Sequence, residues 1–268
     1  MDYINYFKDL GLSDYIINKV IPFIESNKEK YNQYIDGLVN VNTAESTFLK
    51  IKEDYPNDDK CFNILAIYLL TSIKTLSIYN EKQISNQIFY DTIKCITRFI
   101  SECNVMNGEE YFDRDFWAHR QLSLKLFRIG ELEYEFMEDY TISIHIPSNA
   151  ILTKDNIDNS LKDMKEFVKI HKPEYINSII CCDSWLLSPN LKKYLNDDSK
   201  ILLFQSYFEI KEVFLDNKEF IRWLYQTENK DDIILLKEDT SLQRKVKEAL
   251  LNNENLGAAY GVLKQGEI

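Results

Sequence analysis

The first hundred residues carry apolar side chains at helical spacing and show almost no strand alternation. Ser13 has the character of a helix N-cap, and Pro22 predicts a kink or a break in the helix that follows. Further helices are predicted after Thr43 and over residues 85–100. The apolar run at residues 62–79 contains too many polar side chains for a membrane span of about 20 apolar residues, so we expect a buried core helix. These patterns predict a small helical bundle.

Alternation of apolar and polar positions begins after residue 130 and predicts two strands between residues 131 and 146. Each strand has one apolar and one polar face. Matching the apolar faces places Phe136 opposite Ile142, and the same register places Glu133 opposite His145 on the polar face.

A helix capped near Thr153 follows, and then a short apolar strand at residues 179–182. A strand, a helix and a strand joined in this way predict a parallel crossover, which brings His145 and the Asp183-Ser184 pair to the carboxyl ends of neighbouring strands. The remaining elements are predicted as a helix at 191–195, strands at 201–208 and 220–225, a helix at 242–251 and a strand at 259–263.

Composition and charge exclude several classes of function. The 43 acidic and 32 basic residues give a net charge of -11, which opposes binding to nucleic acid or to anionic membrane surfaces. The N-terminus lacks the pattern of a signal peptide, so we expect a cytoplasmic protein. Five cysteines without C-x-x-C spacing and three dispersed histidines indicate reduced thiols and no metal site. The abundance of Ile, Lys, Asn and Tyr favours a bacterial source.

Four short segments of the C-terminal half carry a resemblance to a known family: HIPSNA (145–150), CDSWLLSP (182–189), FQ (204–205) and DTSLQR (239–244). They resemble the GNAT-like C-terminal domain of bacterial two-domain acyltransferase-like proteins, whose N-terminal domain is helical. The order of the predicted strands and helices agrees with the GNAT core. We therefore expect an α+β protein with a helical N-terminal domain at residues 1–110. A GNAT-like domain with a mixed, mainly antiparallel sheet is expected at residues 111–268.

The resemblance implies a thioester acyl donor, with acyl-CoA or CoA as the co-substrate. GNAT enzymes bind the pyrophosphate of coenzyme A with an Arg/Gln-x-x-Gly-x-Gly/Ala turn at a helix start. The corresponding loop here contains no glycine, although the helix N-terminus still offers backbone donors and a partial positive charge. The expected donor-binding residues are Pro147, Ser148, Asn149, Ala150 and Thr153. An acyl carrier protein is an alternative donor.

Acyl transfer to an amine requires a base for the amine and an acid for the leaving thiolate. His145 is the candidate base, because imidazole titrates near neutral pH, and Glu133 is the candidate group that orients it. Ser184 or Tyr194 is the candidate acid, as a tyrosine at that place is in many GNAT enzymes. The competing interpretations are a structural His–Glu pair on the sheet and core packing for the tyrosine.

Three further residues are candidates for contacts with the acyl group or the acceptor. Asp183 and Trp185 follow the parallel strand directly, and Gln205 lies on the strand predicted at 201–208. Trp185 is equally interpretable as a core anchor. Taken together, the resemblance implies an N-acyltransferase that moves an acyl group from a thioester to a small-molecule amine acceptor. The alternatives are a non-catalytic module that binds an acyl-thioester or a metabolite, and an interaction scaffold.

Overall fold

The computed structural model describes residues 3–264 and Gly266, and the chain divides into two compact units, Met1–Arg128 and Ile129–Ile268. The expected boundary between residues 110 and 111 precedes the last helix of the first unit, whereas the two units divide after that helix. The predicted fold class is confirmed: a helical region is followed by a GNAT-like domain with a mixed, mainly antiparallel sheet.

The first unit is helical, and its core forms around one long apolar helix. Its helices are α1 (Tyr3–Asp9), α2 (Asp14–Leu38), α3 (Ala44–Asp54), α4 (Phe62–Glu81), α5 (Asn86–Ile93), α6 (Cys95–Asn107) and α7 (Asp115–Leu122). Helix α4 packs against α2, α5 and α7. Among the described residues α4 is also the one helix whose length and composition would suit a membrane span, but most of it is buried inside the unit. It is the core helix that its polar positions predict.

The bundle departs from the predicted helices at three places. Helix α2 begins after the Ser13 cap as expected but continues through Pro22 without ending there. The single helix expected over residues 85–100 is two helices, α5 and α6, which meet at Lys94. Helix α7 was not predicted, because its eight residues are too few to establish a helical period.

The second unit is built on a six-stranded sheet in which the strand order is β1-β2-β3-β4-β6-β5. Its strands are β1 (Leu126–Ile129), β2 (Leu132–Phe136), β3 (Thr141–His145), β4 (Ile179–Ser184), β5 (Phe208–Phe214) and β6 (Ala258–Leu263), and its helices are α8 (Lys154–His171), α9 (Lys200–Ser206), α10 (Glu219–Tyr225) and α11 (Ser241–Leu251). The chain passes from the first unit to the second along β1. Strands β3 and β4 pair in parallel, as the predicted crossover through α8 requires.

Helix α8 packs against β2, on the apolar face of the β2–β3 hairpin. Tyr134 of β2 lies fully buried there, and its hydroxyl is 2.8 Å from the Ser160 hydroxyl of the helix. Thr153 caps α8 by accepting a hydrogen bond from the backbone N–H of Asn156. The cap therefore lies where the sequence predicts it, and it sets the end of the loop that connects β3 to α8.

Two predicted strands are helices in the structure. Residues 201–208 were expected to form a strand, but residues 200–206 form α9, which Ser199 caps by accepting from the N–H of Ile201. A short continuous apolar run does not distinguish a buried strand from a helix, and here the N-cap favours the helix. The charged segment at Phe208–Phe214 forms the edge strand instead. Residues 220–225, also expected as a strand, belong to α10.

Candidate active site

The polar face of the β2–β3 hairpin carries an acid–base pair at the carboxyl end of β3. The register of the hairpin is the predicted one, with Glu133 opposite His145 and Phe136 opposite Ile142. Alternation places the apolar side chains of both strands on the α8 face and leaves Glu133, Glu135 and His145 together on the other face. Both glutamates are buried, and the His145 side chain keeps 24% of its surface exposed.

Glu135 contacts His145, with its Oε2 2.9 Å from His145 Nε2. A carboxylate at Nε2 favours the tautomer with the proton on that nitrogen. The pair therefore combines a partly exposed imidazole with a buried orienting carboxylate. This is the arrangement that a general base needs.

Two carboxylates lie beside His145 on this face. Glu133 is its direct cross-strand neighbour, as the predicted register requires, and Glu135 is the diagonal neighbour on the same face. Diagonal positions in an antiparallel pair lie about 7–8 Å apart, a separation that long side chains span. Glu135 was not predicted as a partner of His145, and the orienting role of Glu133 stays a prediction.

Asp183 reaches the same region from β4. The parallel pairing of β3 and β4 ends, within the described residues, at Ser143 and Cys181, and both strands run on, β3 to His145 and β4 to Ser184. Partial burial raises the pKa of Asp183, the charge of Glu212 raises it further, and His145 lowers it. His145 and Asp183 thus lie toward the carboxyl ends of neighbouring parallel strands, as the crossover predicts.

A row of three side chains extends this face across the sheet. Asp183 of β4 is opposite Tyr260 of β6, and Tyr260 is opposite Glu212 of β5. A hydrogen bond to Cys181 raises the pKa of the Tyr260 phenol, and burial raises it further. The phenol therefore stays protonated near neutral pH, between two carboxylates. Neither Tyr260 nor Glu212 was predicted as a site residue, because the position of β6 between β4 and β5 does not follow from the sequence pattern.

The loop between β3 and α8 is held by one internal hydrogen bond and by one to the β1–β2 turn. The Ala150 N–H donates to the Pro147 carbonyl oxygen across 2.9 Å and forms a turn. The Ile151 N–H donates to Glu131 Oε2, also across 2.9 Å. The predicted donor-binding residues, among them Ser148, Asn149 and Thr153, thus lie at the start of α8, but a carboxylate already occupies one backbone donor of the loop.

Family models match both units of the chain. The model of the N-acyltransferase N-terminal domain matches residues 1–124, and the model of the GNAT-like C-terminal domain matches residues 126–263. The chain belongs to this two-domain N-acyltransferase family. The predicted family is thereby confirmed, and the matches cover nearly the whole chain. No curated protein matches it.

Solved structures of acyltransferases have the same fold. An acyltransferase in complex with decanoyl-CoA and teicoplanin superimposes with a TM-score of 0.82 at 16% identity, over 98% of this chain and 87% of that chain. An acyltransferase in complex with CoA and 10C-teicoplanin gives a TM-score of 0.71 at 19% identity, over 78% of this chain and 68% of that one. A third, with decanoyl-CoA, gives 0.78 at 17% identity, over 97% and 86%. At these identities the likeness shows the fold.

The candidate acids of this N-acyltransferase-family chain have structural partners. Ser184 accepts a hydrogen bond from the Leu186 N–H and caps the short 3-10 helix Trp185–Leu187. The Tyr194 hydroxyl donates to Glu254 across 3.2 Å, and its ring packs, like that of Trp185, against a buried apolar cluster. That cluster consists of Leu191, Phe220, Ile221, Tyr225, Leu236, Val246, Leu250 and Leu256. The packing favours the core interpretation for Trp185 and Tyr194, and their functional roles stay predictions.

The side chain of Gln205 is hydrogen-bonded to backbone carbonyl groups. It lies on α9, not on a strand, and its amide donates to the carbonyl oxygens of Leu186 and Ser188, each across 2.9 Å. These bonds use both amide hydrogens of the side chain. The strand placement of Gln205 is therefore corrected, and its contact with an acceptor stays a prediction.

The described residues 3–264 and 266 contain no group of three or more His, Cys, Asp or Glu side chains placed to hold a metal ion. All five cysteines lie in this part of the chain, and each is a buried free thiol. Burial raises the pKa of Cys182, which keeps its thiol protonated and unreactive. The titratable groups available to this N-acyltransferase-family site are therefore His145 and the carboxylates and phenol around it.

Proposed function

We propose that this chain is an N-acyltransferase that moves an acyl group from acyl-CoA to an amine acceptor. Two observations support the proposal. The chain belongs to the two-domain N-acyltransferase family, and the carboxyl end of β3 carries a partly exposed histidine held by a buried carboxylate. The second observation carries the mechanism, because it supplies a base at the end of the parallel strand pair where the donor loop begins.

The His145–Glu135 pair suits the proton transfer that the reaction requires. An ammonium is not nucleophilic, so the acceptor nitrogen must lose a proton before it attacks the thioester carbonyl carbon. His145 takes that proton, and Glu135 stabilises the resulting imidazolium. The new C–N bond forms as the C–S bond breaks, and the thiolate takes up a proton to leave as a thiol. No covalent acyl-enzyme is needed, so positioning contributes much of the rate.

The carboxylates around His145 favour a cationic acceptor. Asp183 and Glu212 flank Tyr260 on the same face of the sheet, and burial, followed by repulsion from Glu212, raises the pKa of Asp183. A positively charged amine bound in this row would reduce that repulsion. The row therefore supports an amine acceptor that arrives protonated and gives its proton to His145.

The acyl donor is proposed by analogy with structurally similar acyltransferases. Those proteins were solved with decanoyl-CoA, octanoyl-CoA or CoA, and two of them also with teicoplanin or 10C-teicoplanin. We propose medium-chain acyl-CoA thioesters as the first donors to test, with an acyl carrier protein as the alternative. A cytoplasmic, bacterial setting is also proposed, and five buried free thiols agree with a reducing compartment.

The test measures thiol release from decanoyl-CoA and octanoyl-CoA in the presence of a panel of amines. His145→Ala is expected to lower the turnover by about 10²- to 10⁴-fold, because it removes the base, while the melting temperature changes little. His171→Ala, on the last turn of α8, is the matched control and should retain turnover. Turnover that survives in the His145 variant would contradict the proposed base. Thioester binding without turnover by the wild type would support the non-catalytic module instead.

A further inference from the structure

Glu131 holds the loop that the resemblance assigns to the donor pyrophosphate. Its Oε2 accepts the Ile151 N–H across 2.9 Å, and its Oε1 is 3.5 Å from Asn156 Nδ2. The same Asn156 amide donates to the Ile151 carbonyl oxygen across 2.9 Å. One carboxylate therefore contacts both the loop and the first turn of α8. A backbone N–H at a helix start is the type of donor that binds phosphate in other folds.

The turn before β2 fixes Glu131 in this place. Gly130 has a φ of +65°, and a Cβ there would lie 3.1 Å from Ser160 Cβ, so the turn lies close against α8. The Ser160 hydroxyl is bonded to the Ile129 carbonyl oxygen and accepts from the Leu132 N–H. Backbone contacts on both sides of Glu131 thus anchor it to the helix whose start it contacts. The Glu131 carboxylate therefore contributes a fixed hydrogen bond to the loop.

Acidic side chains outnumber basic ones within the loop and the first turns of α8. Residues 147–158 contain one basic side chain, Lys154, and two acidic ones, Asp155 and Asp158. Lys154 forms an ion pair with Asp158, and hydrogen bonds from Lys154 and Tyr207 lower the pKa of Asp158. Because the Glu131 carboxylate is bonded to the Ile151 N–H, a pyrophosphate bound at that N–H would lie close to a negative charge.

We propose that Glu131 is a specificity-determining residue of the donor site, which acts as an internal anion in competition with the donor pyrophosphate. This inference rests on the proposed function, since it takes the β3–α8 loop as the donor loop. Coenzyme A must displace the Glu131 carboxylate from Ile151 or bind beside its charge. A thioester that carries the pantetheine arm without phosphates meets no such competition. Glu131 therefore makes donor binding depend less on the phosphates of coenzyme A and more on its pantetheine and acyl parts.

Substitution of Glu131 separates its charge from its hydrogen bond. Glu131→Gln keeps an oxygen that accepts the Ile151 N–H and removes the charge, whereas Glu131→Ala also frees the N–H. Removing one like charge a few ångströms from a phosphate is expected to tighten CoA binding by about tenfold. Binding of decanoyl-pantetheine, which has no phosphate, should change less than about twofold. Glu138→Gln is the matched control, because Glu138 is an exposed glutamate beyond the other end of β2.

Calorimetric titration of all four proteins with decanoyl-CoA, CoA and decanoyl-pantetheine tests the inference. Tighter binding of the two CoA ligands by both Glu131 variants, with unchanged decanoyl-pantetheine binding, is the expected result. Unchanged or weaker CoA binding by variants whose melting temperature matches the wild type would overturn the role of Glu131 and leave the proposed function intact. If no protein, wild type included, binds any of the three ligands, the proposed donor itself is wrong.

Discussion

The two faces of the β2–β3 hairpin differ in what their side chains contact. On one face, Tyr134 is bonded to Ser160 of α8, and the Phe136 ring lies 6.1 Å from that of Phe167. On the other face, Glu135 is bonded to His145 at the end of the strand. Residues adjacent in sequence therefore serve different purposes. One face holds the sheet to its helix, and the other assembles titratable groups.

The two faces also differ in what burial requires. Glu133 and Glu135 keep only 2% and 4% of their surface exposed, and buried carboxylates need partners that replace their lost hydration. Each buried apolar side chain on the other face contributes roughly 1.5–3 kcal/mol. We therefore expect apolar burial on the α8 face to supply much of the stability of the hairpin. Removing a side chain from each face should separate stability from activity.

The largest effect on stability is expected from Ile144→Ala. Ile144 is 1% exposed on the α8 face, directly before His145 in the sequence. The cavity should lower the free energy of unfolding by about 2–5 kcal/mol. Turnover per folded molecule, measured well below the melting temperature, should change far less than in His145→Ala. Urea unfolding of both variants gives the comparison, and a large stability loss in His145→Ala with little in Ile144→Ala would reverse the assignment of the faces.

A smaller effect on stability, of opposite sign, is expected from Asp183→Asn. Partial burial, followed by repulsion from Glu212, raises the folded-state pKa of Asp183 above its unfolded value. The ionised carboxylate therefore destabilises the fold at neutral pH, and the penalty is relieved as pH falls through the folded-state pKa. Asparagine removes the penalty, so the melting temperature should rise by on the order of 1 °C at pH 8.

Below the unfolded pKa of about 3.9, both forms of residue 183 are neutral, and the difference should vanish. Scanning calorimetry at pH 8 and at pH 3 provides the measurement. Asp216→Asn, on an exposed residue after β5, is the matched control and should show no such pH-dependent gain. A lower melting temperature for Asp183→Asn at pH 8 would show that the carboxylate stabilises the fold instead.

Much of the second unit could be predicted because alternation determines which side chains share a face. The hairpin register followed from pairing apolar residues, and the Thr153 cap marked the start of α8. The run at residues 201–204 has no period to read, so tertiary packing and the Ser199 cap decided that it forms α9. Local pattern predicts elements well only where one face is polar.

The side-chain partners at the candidate site were harder to predict. Glu133 and Glu135 are equivalent by alternation, and alternation alone does not predict the bond between Glu135 and His145. The contact between Glu131 and Ile151 joins residues 20 positions apart through the packing of the β1–β2 turn on α8. Tyr260 reaches Asp183 only because β6 lies between β4 and β5. Each of these contacts depends on topology rather than on local spacing.

The most direct test of the central claim is a double-mutant cycle on His145 and Glu135, with kcat/KM as the readout. If Glu135 acts through His145, Glu135→Gln alone should lower kcat/KM by about 10- to 100-fold, mostly through kcat. The double variant should then lose little more than His145→Ala alone, because the residues act as one unit. Losses that multiply, or that follow a fall in melting temperature, would contradict a catalytic pair on this face of the sheet.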